Sequence, residues 1–225
     1  MGITTFDRVL FPLLNGSDSA IIDHIMLDLT TWWVWIPLYI ALIILIISNN
    51  ENNRKILMPV LSALLCFACT EVLTDVVAKP IFCRPRPFET DIMVRLVDGY
   101  RHSGYSFFSA HAANTMGLCV FISLLVKDRI MTFVMLSYAL LTSISRIYLG
   151  QHFPTDVVVG IVVGAVVATL VYHLYQRMSR GSRGGNRFVS EELSTSGYSH
   201  KEVEHVASLS VVIYVLIIIH SVIIS

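Results

Sequence analysis

The chain has 225 residues, of which 55% are apolar and only 14% are Asp, Glu, Lys or Arg. This is too little charge to solvate a globular protein of that length, so the composition excludes an ordinary soluble enzyme. The formal net charge is zero, which gives no support for a nucleic-acid partner.

The first 30 residues differ from the rest of the chain because their apolar stretches are short and interrupted by charge. Asp7 and Arg8 fall inside the first apolar stretch. Apolar and charged residues that alternate in this way favour helices lying in the membrane interface rather than crossing the bilayer. The sequence therefore predicts an amphipathic interfacial segment at residues 1–30.

Six apolar runs follow, and most approach the roughly 20 residues that a helix needs to cross about 30 Å of hydrocarbon. They are residues 32–48, 56–78, 107–126, 130–144, 157–175 and 206–224. We therefore expect an all-α, polytopic membrane bundle of about six transmembrane helices. Residues 31–175 would form a five-span core, residues 176–204 a flexible cytoplasmic linker rich in Gly, Ser and Arg, and residues 205–225 a last transmembrane helix.

Basic residues predict which ends of these spans face the cytoplasm. Three of the connecting segments carry half of the sixteen, at Arg54, Lys55, Lys127, Arg129, Arg177, Arg180, Arg183 and Arg187. Alternation places these segments on one side, which the positive-inside rule makes cytoplasmic. Residues 79–106 and 145–156 then lie on the opposite side. Because residues 79–106 are also basic, an anionic substrate is expected there.

Two segments on that outer side combine charge with helix ends. Lys79, Arg84 and Arg86 fall in a Pro-rich stretch after the second span, and an Arg side chain presents a planar fork of donors suited to phosphate oxygens. Ser109 is a candidate N-cap for the third span, whose first backbone amides would form an anion site beside His111. Each segment alone also fits an ordinary solvated membrane edge.

A third segment carries a candidate nucleophile. Arg146 lies at the outer end of the fourth span, His152 follows it, and Asp156 falls in the first turn of the fifth span after Pro154. A carboxylate that accepts a hydrogen bond from one imidazole nitrogen fixes the tautomer and leaves the other nitrogen free to attack. We therefore expect Asp156 to orient His152, although an acidic residue also suits a helix N-terminus on its own.

Two regular spacings indicate helix faces. Glu71, Asp75 and Lys79 recur every four residues, so they share one face, and Asp75 would position Lys79 or simply form a structural ion pair with it. Gly160 and Gly164 in the fifth span would allow another helix to approach closely.

The loop at residues 88–106 adds further polar candidates. Arg95, Arg101 and His102 could cover the site and contact a lipid headgroup, as could Arg84, or they could belong to an ordinary polar loop. No cluster of carboxylates with metal-ligand spacing lies on this side, so neither a metal nor another cofactor is expected.

The three segments together resemble the motifs of the type 2 phosphatidic acid phosphatase superfamily. The matching spacings are Lys-x6-Arg-Pro, Ser-x-His and Ser-Arg-x5-His-x3-Asp, and the resemblance covers about residues 70–175. The second motif of the family usually reads Pro-Ser-Gly-His, whereas this chain has Phe108-Ser109-Ala110-His111. The backbone amide at position 110 is nevertheless retained.

The resemblance implies a role for each matching residue. His152 would attack phosphorus and form a phosphohistidine, Asp156 would orient it, and His111 would protonate the leaving oxygen and then activate water. The phosphate oxygens would be held by Lys79, Arg86, Ser109, Ala110 and Arg146.

Family analogy also suggests the substrate class. In a bacterial inner membrane with an outward-facing site, the favoured lipids are lipid A phosphates and undecaprenyl diphosphate, and phosphatidylglycerol phosphate and phosphatidate are further candidates. Two alternatives remain open: a lipid phosphotransferase on the same scaffold and an anion or lipid transporter. The sequence does not indicate an oligomeric state.

Overall fold

The computed structural model describes residues 2–179 and 192–225. Within these ranges the chain is almost entirely helical, which confirms the all-α prediction. The α-helices are α1 Thr5–Leu14, α2 Ala20–Thr30, α3 Ile36–Ser48, α4 Asn53–Glu71, α5 Lys79–Phe82, α6 Ala110–Val126, α7 Arg129–Tyr148, α8 Pro154–Ser179 and α9 His200–Ile224. Three short 3₁₀ turns, Trp32–Trp35, Pro87–Glu89 and Val97–Gly99, and a π-helix, Val72–Ala78, complete the elements.

The helices confirm an integral membrane bundle but not the predicted number of six spans. Among the described residues, four segments are long and apolar enough to cross a bilayer: Asn53–Glu89, Arg129–Tyr148, Pro154–Ser179 and His200–Ile224. The pair Ala20–Thr30 and Trp32–Ser48 would make a fifth, with a 69° bend between its halves. Ala110–Val126 is apolar but has only 17 residues, a little shorter than a full crossing requires.

Gly160 and Gly164 bring α8 into close contact with the start of α6. A Cβ atom on Gly160 would lie 2.6 Å from the carbonyl oxygen of Ser109, and one on Gly164 would overlap the backbone of Ala113. Only a residue without a side chain fits these positions. This confirms the predicted packing role of both glycines and fixes the start of α6 against α8.

The N-terminal segment is more deeply anchored than an amphipathic helix on a membrane surface needs to be. Thr4 caps α1 by accepting a hydrogen bond from the backbone of Asp7 at 3.1 Å, and the Asp7 carboxylate reaches back to the Thr4 amide at 3.2 Å. Asp7 itself is fully buried, and Phe11, one turn later, stacks on Phe153 with ring centroids 5.6 Å apart. Helix α1 therefore supports the segment that carries His152.

The predicted linker at residues 176–204 is only partly described. Helix α8 extends to Ser179 and α9 begins at His200, while Arg180, Arg183 and Arg187 lie outside the described residues. Of the described part, Ser194 donates a hydrogen bond to the carbonyl oxygen of Val126 at 2.7 Å. This hydrogen bond attaches the segment before α9 to the end of the bundle at Val126.

Candidate active site

A cavity of about 350 Å³ lies where the extension of α4, the first turn of α6, the last turn of α7 and the α7–α8 connection meet. Seven of the residues predicted from the sequence line it: Lys79, Arg86, His102, Ala110, His111, Arg146 and His152. The fold thus brings groups from three separate motifs to one chamber. This grouping is the arrangement expected of a site that binds an anion and reacts with it.

The His152 side chain is held in one tautomer by a backbone carbonyl. Only 3% of the residue is exposed, and its Nδ1 lies 2.8 Å from the carbonyl oxygen of Ser106. Because a carbonyl can only accept, Nδ1 must carry the hydrogen and Nε2 must keep its lone pair. Among the described residues Nε2 has no hydrogen-bond partner, so it remains available to a substrate in the cavity.

The hydrogen bond predicted between Asp156 and His152 is not formed, which corrects the sequence interpretation. The nearest oxygen of Asp156, Oδ2, is 3.8 Å from Nδ1 of His152, which is too far for a hydrogen bond. That oxygen instead accepts from the backbone amide of Phe153 at 2.9 Å. Asp156 therefore supplies negative charge beside the imidazole, while the Ser106 carbonyl provides the orientation.

The electrostatics around His152 keep its imidazole neutral. Burial lowers the pKa of His152 well below its usual value, and the positive charges of Arg146, Arg86 and Lys79 lower it further. A neutral imidazole is the form that can act as a nucleophile, so this environment leaves His152 in a reactive form at neutral pH.

Arg84 does not face the cavity, contrary to its prediction as a possible headgroup contact. It is completely buried, and its guanidinium bridges two carboxylates, bonding Asp156 through Nη1 and Asp7 through Nη2, the latter at 2.5 Å. The Phe153 ring covers it at 4.4 Å. With both sides of its guanidinium occupied, Arg84 has no surface left for a lipid.

Asp7 completes this arrangement, and sequence reasoning missed it. Besides Arg84, Asp7 accepts hydrogen bonds from the backbone amide and the hydroxyl of Thr155, at 3.0 and 2.8 Å. Burial alone would raise the pKa of Asp7, but the hydrogen bonds from Thr155, Arg84 and Thr4 lower it overall, so Asp7 is ionised. We refer to Asp7, Arg84 and Asp156 as the ion-pair triad; its net charge is −1.

Arg86 and Arg146 are both buried but keep donors free for a ligand. Arg86 donates to the backbone carbonyls of Gly104, Gln151 and Ser103 at 2.8, 2.9 and 3.2 Å, which uses three of its five N–H groups. Arg146 donates to the Thr30 hydroxyl at 2.6 Å and to the Tyr100 hydroxyl at 3.2 Å. Its Nε has no partner among the described residues.

Two rigidly held arginines therefore line the cavity with unused donors. A guanidinium that is already positioned loses less entropy when it binds a phosphate oxygen. Lys79 adds a third positive charge from the wall of α5, where Asp75 holds its ammonium at 2.5 Å, as the four-residue spacing predicted.

The start of α6 contributes backbone donors, and Ser109 caps this helix without facing the cavity. Ser109 is fully buried, is not among the cavity-lining residues, and uses its hydroxyl oxygen to cap the amide of Ala112 at 3.4 Å. The cap prediction is confirmed, whereas a direct bond from its hydroxyl to phosphate is not supported. Ala110 and His111 do line the cavity, and the first amides of a helix lack intrahelical partners.

The loop at residues 88–106 divides into residues at the cavity and residues away from it. His102 lines the cavity, and its backbone amide donates to the Gln151 side chain at 2.9 Å. Arg95 instead forms a two-pronged ion pair with Asp23 of α2, at 2.7 and 2.6 Å. The Arg101 guanidinium lies over the Phe88 ring at 5.5 Å. Neither arginine lines the cavity, so the headgroup role predicted for them has no geometric support.

An apolar groove of about 530 Å³ lies beside this cavity. Its walls come from α3, α4, α6 and Tyr138 of α7, and most of the lining is aliphatic or aromatic, including Leu42, Ile46, Val60 and Leu118. Cavity and groove share the side chains Trp32, Tyr39, Phe67, Asn114 and Tyr138. The polar cavity and the apolar groove are therefore adjacent.

Residues suited to hold a metal ion are not gathered at this site. Across residues 2–179 and 192–225, no group of three or more His, Cys, Asp or Glu side chains is placed to coordinate one. The positive charge in the cavity comes from Lys79, Arg86 and Arg146.

Comparison with known proteins agrees with the motifs. The chain is 32% identical to the lipid A 4'-phosphatase of Porphyromonas gingivalis, covering 77% of this chain and 74% of that protein. It is 25% identical to the undecaprenyl-diphosphatase BcrC of Bacillus subtilis, covering 72% and 81%. The crystal structure of the transmembrane PAP2 type phosphatidylglycerolphosphate phosphatase from Bacillus subtilis shares the fold, with a TM-score of 0.57 and 22% identity over 80% of this chain and 87% of that one. Since the PAP2 superfamily profile also matches residues 58–180, more than half of the sequence, this integral membrane protein belongs to the PAP2 superfamily.

Proposed function

We propose that this protein is a metal-independent phosphatase that removes a phosphate group from a membrane lipid through a phosphohistidine on His152. One observation carries the proposal: the free Nε2 of His152 faces a cationic cavity that adjoins an apolar groove. The cavity suits a phosphate and the groove suits hydrocarbon chains. The relatives named above, phosphatases of lipid A and undecaprenyl diphosphate, support the same class of substrate.

The proposed reaction has two steps. Nε2 of His152 attacks phosphorus in line, the bond from phosphorus to the leaving oxygen breaks, and His111, acting in its imidazolium form, gives that oxygen a proton and becomes neutral. His111 then takes a proton from water, whose oxygen attacks phosphorus and releases inorganic phosphate and free His152. Throughout, Lys79, Arg86 and Arg146 offset the charge on the equatorial oxygens.

The two histidines are expected to act because of their surroundings. His152 is fixed and unprotonated at Nε2 by its bond to Ser106. His111 also lines the cavity, and no hydrogen bond holds its imidazole to another described residue, so its ring is free to meet the leaving oxygen. Asp156 would stabilise the imidazolium that forms when Nε2 bonds to phosphorus.

The test is phosphate release by purified protein in detergent with EDTA present. Wild-type protein should release phosphate from lipid A or undecaprenyl diphosphate, whereas His152→Ala and His111→Ala should lose at least a thousandfold in rate, in line with the removal of a nucleophile or general acid. His173→Ala, which changes an exposed histidine of α8, serves as the matched control and should stay active. Full activity in His152→Ala would exclude this mechanism.

Hydrolysis and phosphoryl transfer share the first step, so product analysis must separate them. We propose hydrolysis, in which inorganic phosphate forms at the same rate with or without an added acceptor alcohol. A phosphorylated acceptor forming in place of inorganic phosphate would instead establish a phosphotransferase.

We further propose that the cavity opens on the extracytoplasmic side of a bacterial inner membrane. The opposite ends of the same helices carry Arg54, Lys55, Lys127, Arg129 and Arg177, which supports this orientation under the positive-inside rule. Met93 is 93% exposed in the outer loop. In a Cys83→Ser background, Met93→Cys should react with an impermeant maleimide in intact cells, and Lys55→Cys only after permeabilisation. The reverse pattern would invert the orientation.

A further inference from the structure

Two carboxylates, Glu71 and Asp75, line a cavity that is otherwise suited to an anion. A negative charge near a phosphate repels it, so each carboxylate needs a reason to be there. Asp75 has one, because it holds the ammonium of Lys79 at 2.5 Å. Glu71 forms no ion pair with any described residue, and its place in the cavity is therefore unexplained by phosphate binding.

Glu71 is instead held by amide and hydroxyl groups. One of its oxygens, Oε1, accepts a hydrogen bond from Nδ2 of Asn114, and Oδ1 of Asn114 accepts from the Thr70 hydroxyl at 2.5 Å. This chain of bonds links α4 to α6 and fixes the carboxylate. The second oxygen of Glu71, Oε2, has no hydrogen-bond partner among the described residues and remains an open acceptor.

Glu71 sits at the boundary between the polar cavity and the apolar groove. Along the helix it lies eight residues from Lys79, which at 1.5 Å per residue is on the order of 10 Å from the phosphate-binding charges. Phe67 lies one turn earlier on the same face of α4, and Asn114 faces Glu71 from α6. Both residues line the cavity as well as the groove. A lipid with its phosphate at His152 would therefore place beside Glu71 the part that joins the phosphate to its hydrocarbon chains.

The chemistry of that joining part differs between the candidate substrates. In a phosphorylated sugar lipid it carries hydroxyl and amide N–H groups, which donate to a carboxylate. In a prenyl diphosphate it is a second phosphate followed directly by hydrocarbon. The phosphate repels a carboxylate, and a carboxylate that faces hydrocarbon loses hydration without gaining a partner. Repulsion of the inner phosphate and desolvation by the hydrocarbon both make Glu71 unfavourable for a prenyl diphosphate, whereas a hydroxyl-bearing headgroup offers it donors.

We propose that Glu71 and Asn114 form a hydroxyl- and amide-binding subsite that selects phosphorylated sugar lipids over prenyl diphosphates. The proposal rests on the function proposed above, because it concerns the headgroup of the same substrate. It assigns to Glu71 a role in specificity rather than in the chemical step.

The experiment compares kcat/KM for lipid A and for undecaprenyl diphosphate in wild-type protein and in Glu71→Gln. Loss of the charged acceptor should lower activity on lipid A about tenfold, while loss of the negative charge should raise activity on undecaprenyl diphosphate. The ratio of the two kcat/KM values should therefore fall by at least tenfold.

Asn114→Ala is the second variant, and it should lower the same ratio because Glu71 is no longer held in place. It also decides the question if Glu71→Gln does not fold, as judged by gel filtration and thermal unfolding. Asp75→Asn, which removes a charge of the same sign one turn away but frees Lys79, should lower activity on both lipids together and leave the ratio unchanged.

The outcomes distinguish this inference from the proposed function. A parallel fall or a parallel rise on both lipids in Glu71→Gln would overturn the subsite, since a structural or purely electrostatic role acts on every phosphate equally. Wild-type protein that hydrolyses neither lipid would instead overturn the proposed function, and the inference with it.

Discussion

The position of Asp156 leads to a quantitative prediction about the first chemical step. When Nε2 of His152 bonds to phosphorus, the hydrogen stays on Nδ1 because Ser106 holds it, and the ring becomes an imidazolium. The carboxylate of Asp156 lies 3.8 Å from that nitrogen. Two unit charges at this distance attract by about 4 kcal/mol at an effective dielectric constant of about 20. Each 1.36 kcal/mol corresponds to a factor of ten, so the upper limit is about a thousandfold in rate.

Asp156→Asn should therefore slow phosphoenzyme formation by about a hundredfold to a thousandfold. The lower figure allows for Arg84, which already neutralises part of the Asp156 charge. The asparagine oxygen can still accept from the amide of Phe153, so the backbone before α8 should keep its course. The measurement is the single-turnover rate of phosphoenzyme formation in detergent, together with the melting temperature.

Asp7→Asn is the matched control for this experiment. It removes the same charge from the ion-pair triad and also breaks one ion pair of Arg84. Asp7, however, lies on the other side of that guanidinium and makes no contact with His152. Its rate should fall by less than tenfold, although its stability should fall as much as that of Asp156→Asn. Equal rate losses in the two variants would refute a direct effect of Asp156 on His152, and so would a rate for Asp156→Asn above half the wild-type value.

Two other predictions concern pH and packing. Lys79→Gln removes one of the charges that lower the pKa of His152, so that pKa should rise toward its usual value, and protonation of the ring should begin at higher pH in the variant. An NMR titration of the His152 ring in wild-type protein and variant would measure this, and an unmoved titration would contradict the reasoning. Gly164→Ala should lower the free energy of unfolding by about 1–3 kcal/mol because its Cβ would meet the backbone of Ala113. Thermal unfolding would measure this, with Gly2→Ala, where the Cβ meets nothing within 4 Å, expected to be neutral.

The sequence predicted the convergence of the motifs because each motif combines reactive side chains with a helix end. Lys79 follows a long apolar run, Ser109 precedes another, and Pro154 opens a third, so their depth in the bilayer followed from hydropathy alone. Alternation of the spans then placed all three on one side. The cavity that contains Lys79, His111 and His152 could therefore be anticipated without coordinates.

The contacts within the site could not be anticipated, because they depend on groups that carry no sequence signal. The carbonyl of Ser106 orients His152, yet every residue has a carbonyl. Asp7 is distant in sequence from every motif and already has a local explanation as part of the cap of α1 with Thr4. An acidic residue on the buried face of a predicted interfacial helix was the one available hint, since an ionised group there requires a partner.

The two arginines of the first motif show why spacing alone misassigns neighbours. Only Pro85 separates Arg84 from Arg86, and a regular extended backbone would point both side chains to the same side. Arg86 reaches the cavity, while Arg84 reaches the carboxylates behind His152. One short segment thus supplies positive charge to both sides of the nucleophile.

These two positions have different electrostatic consequences. Positive charge in front of His152, from Arg86 and its neighbours in the cavity, attracts the phosphate and keeps the imidazole neutral before the reaction. Behind His152, Arg84 is outnumbered by Asp7 and Asp156, so that side carries a net negative charge suited to the imidazolium that forms during it. Helix α1 provides one of the two carboxylates, Asp7. Its role in the site is therefore electrostatic as well as structural, and truncating the first helix should impair catalysis even in protein that remains folded.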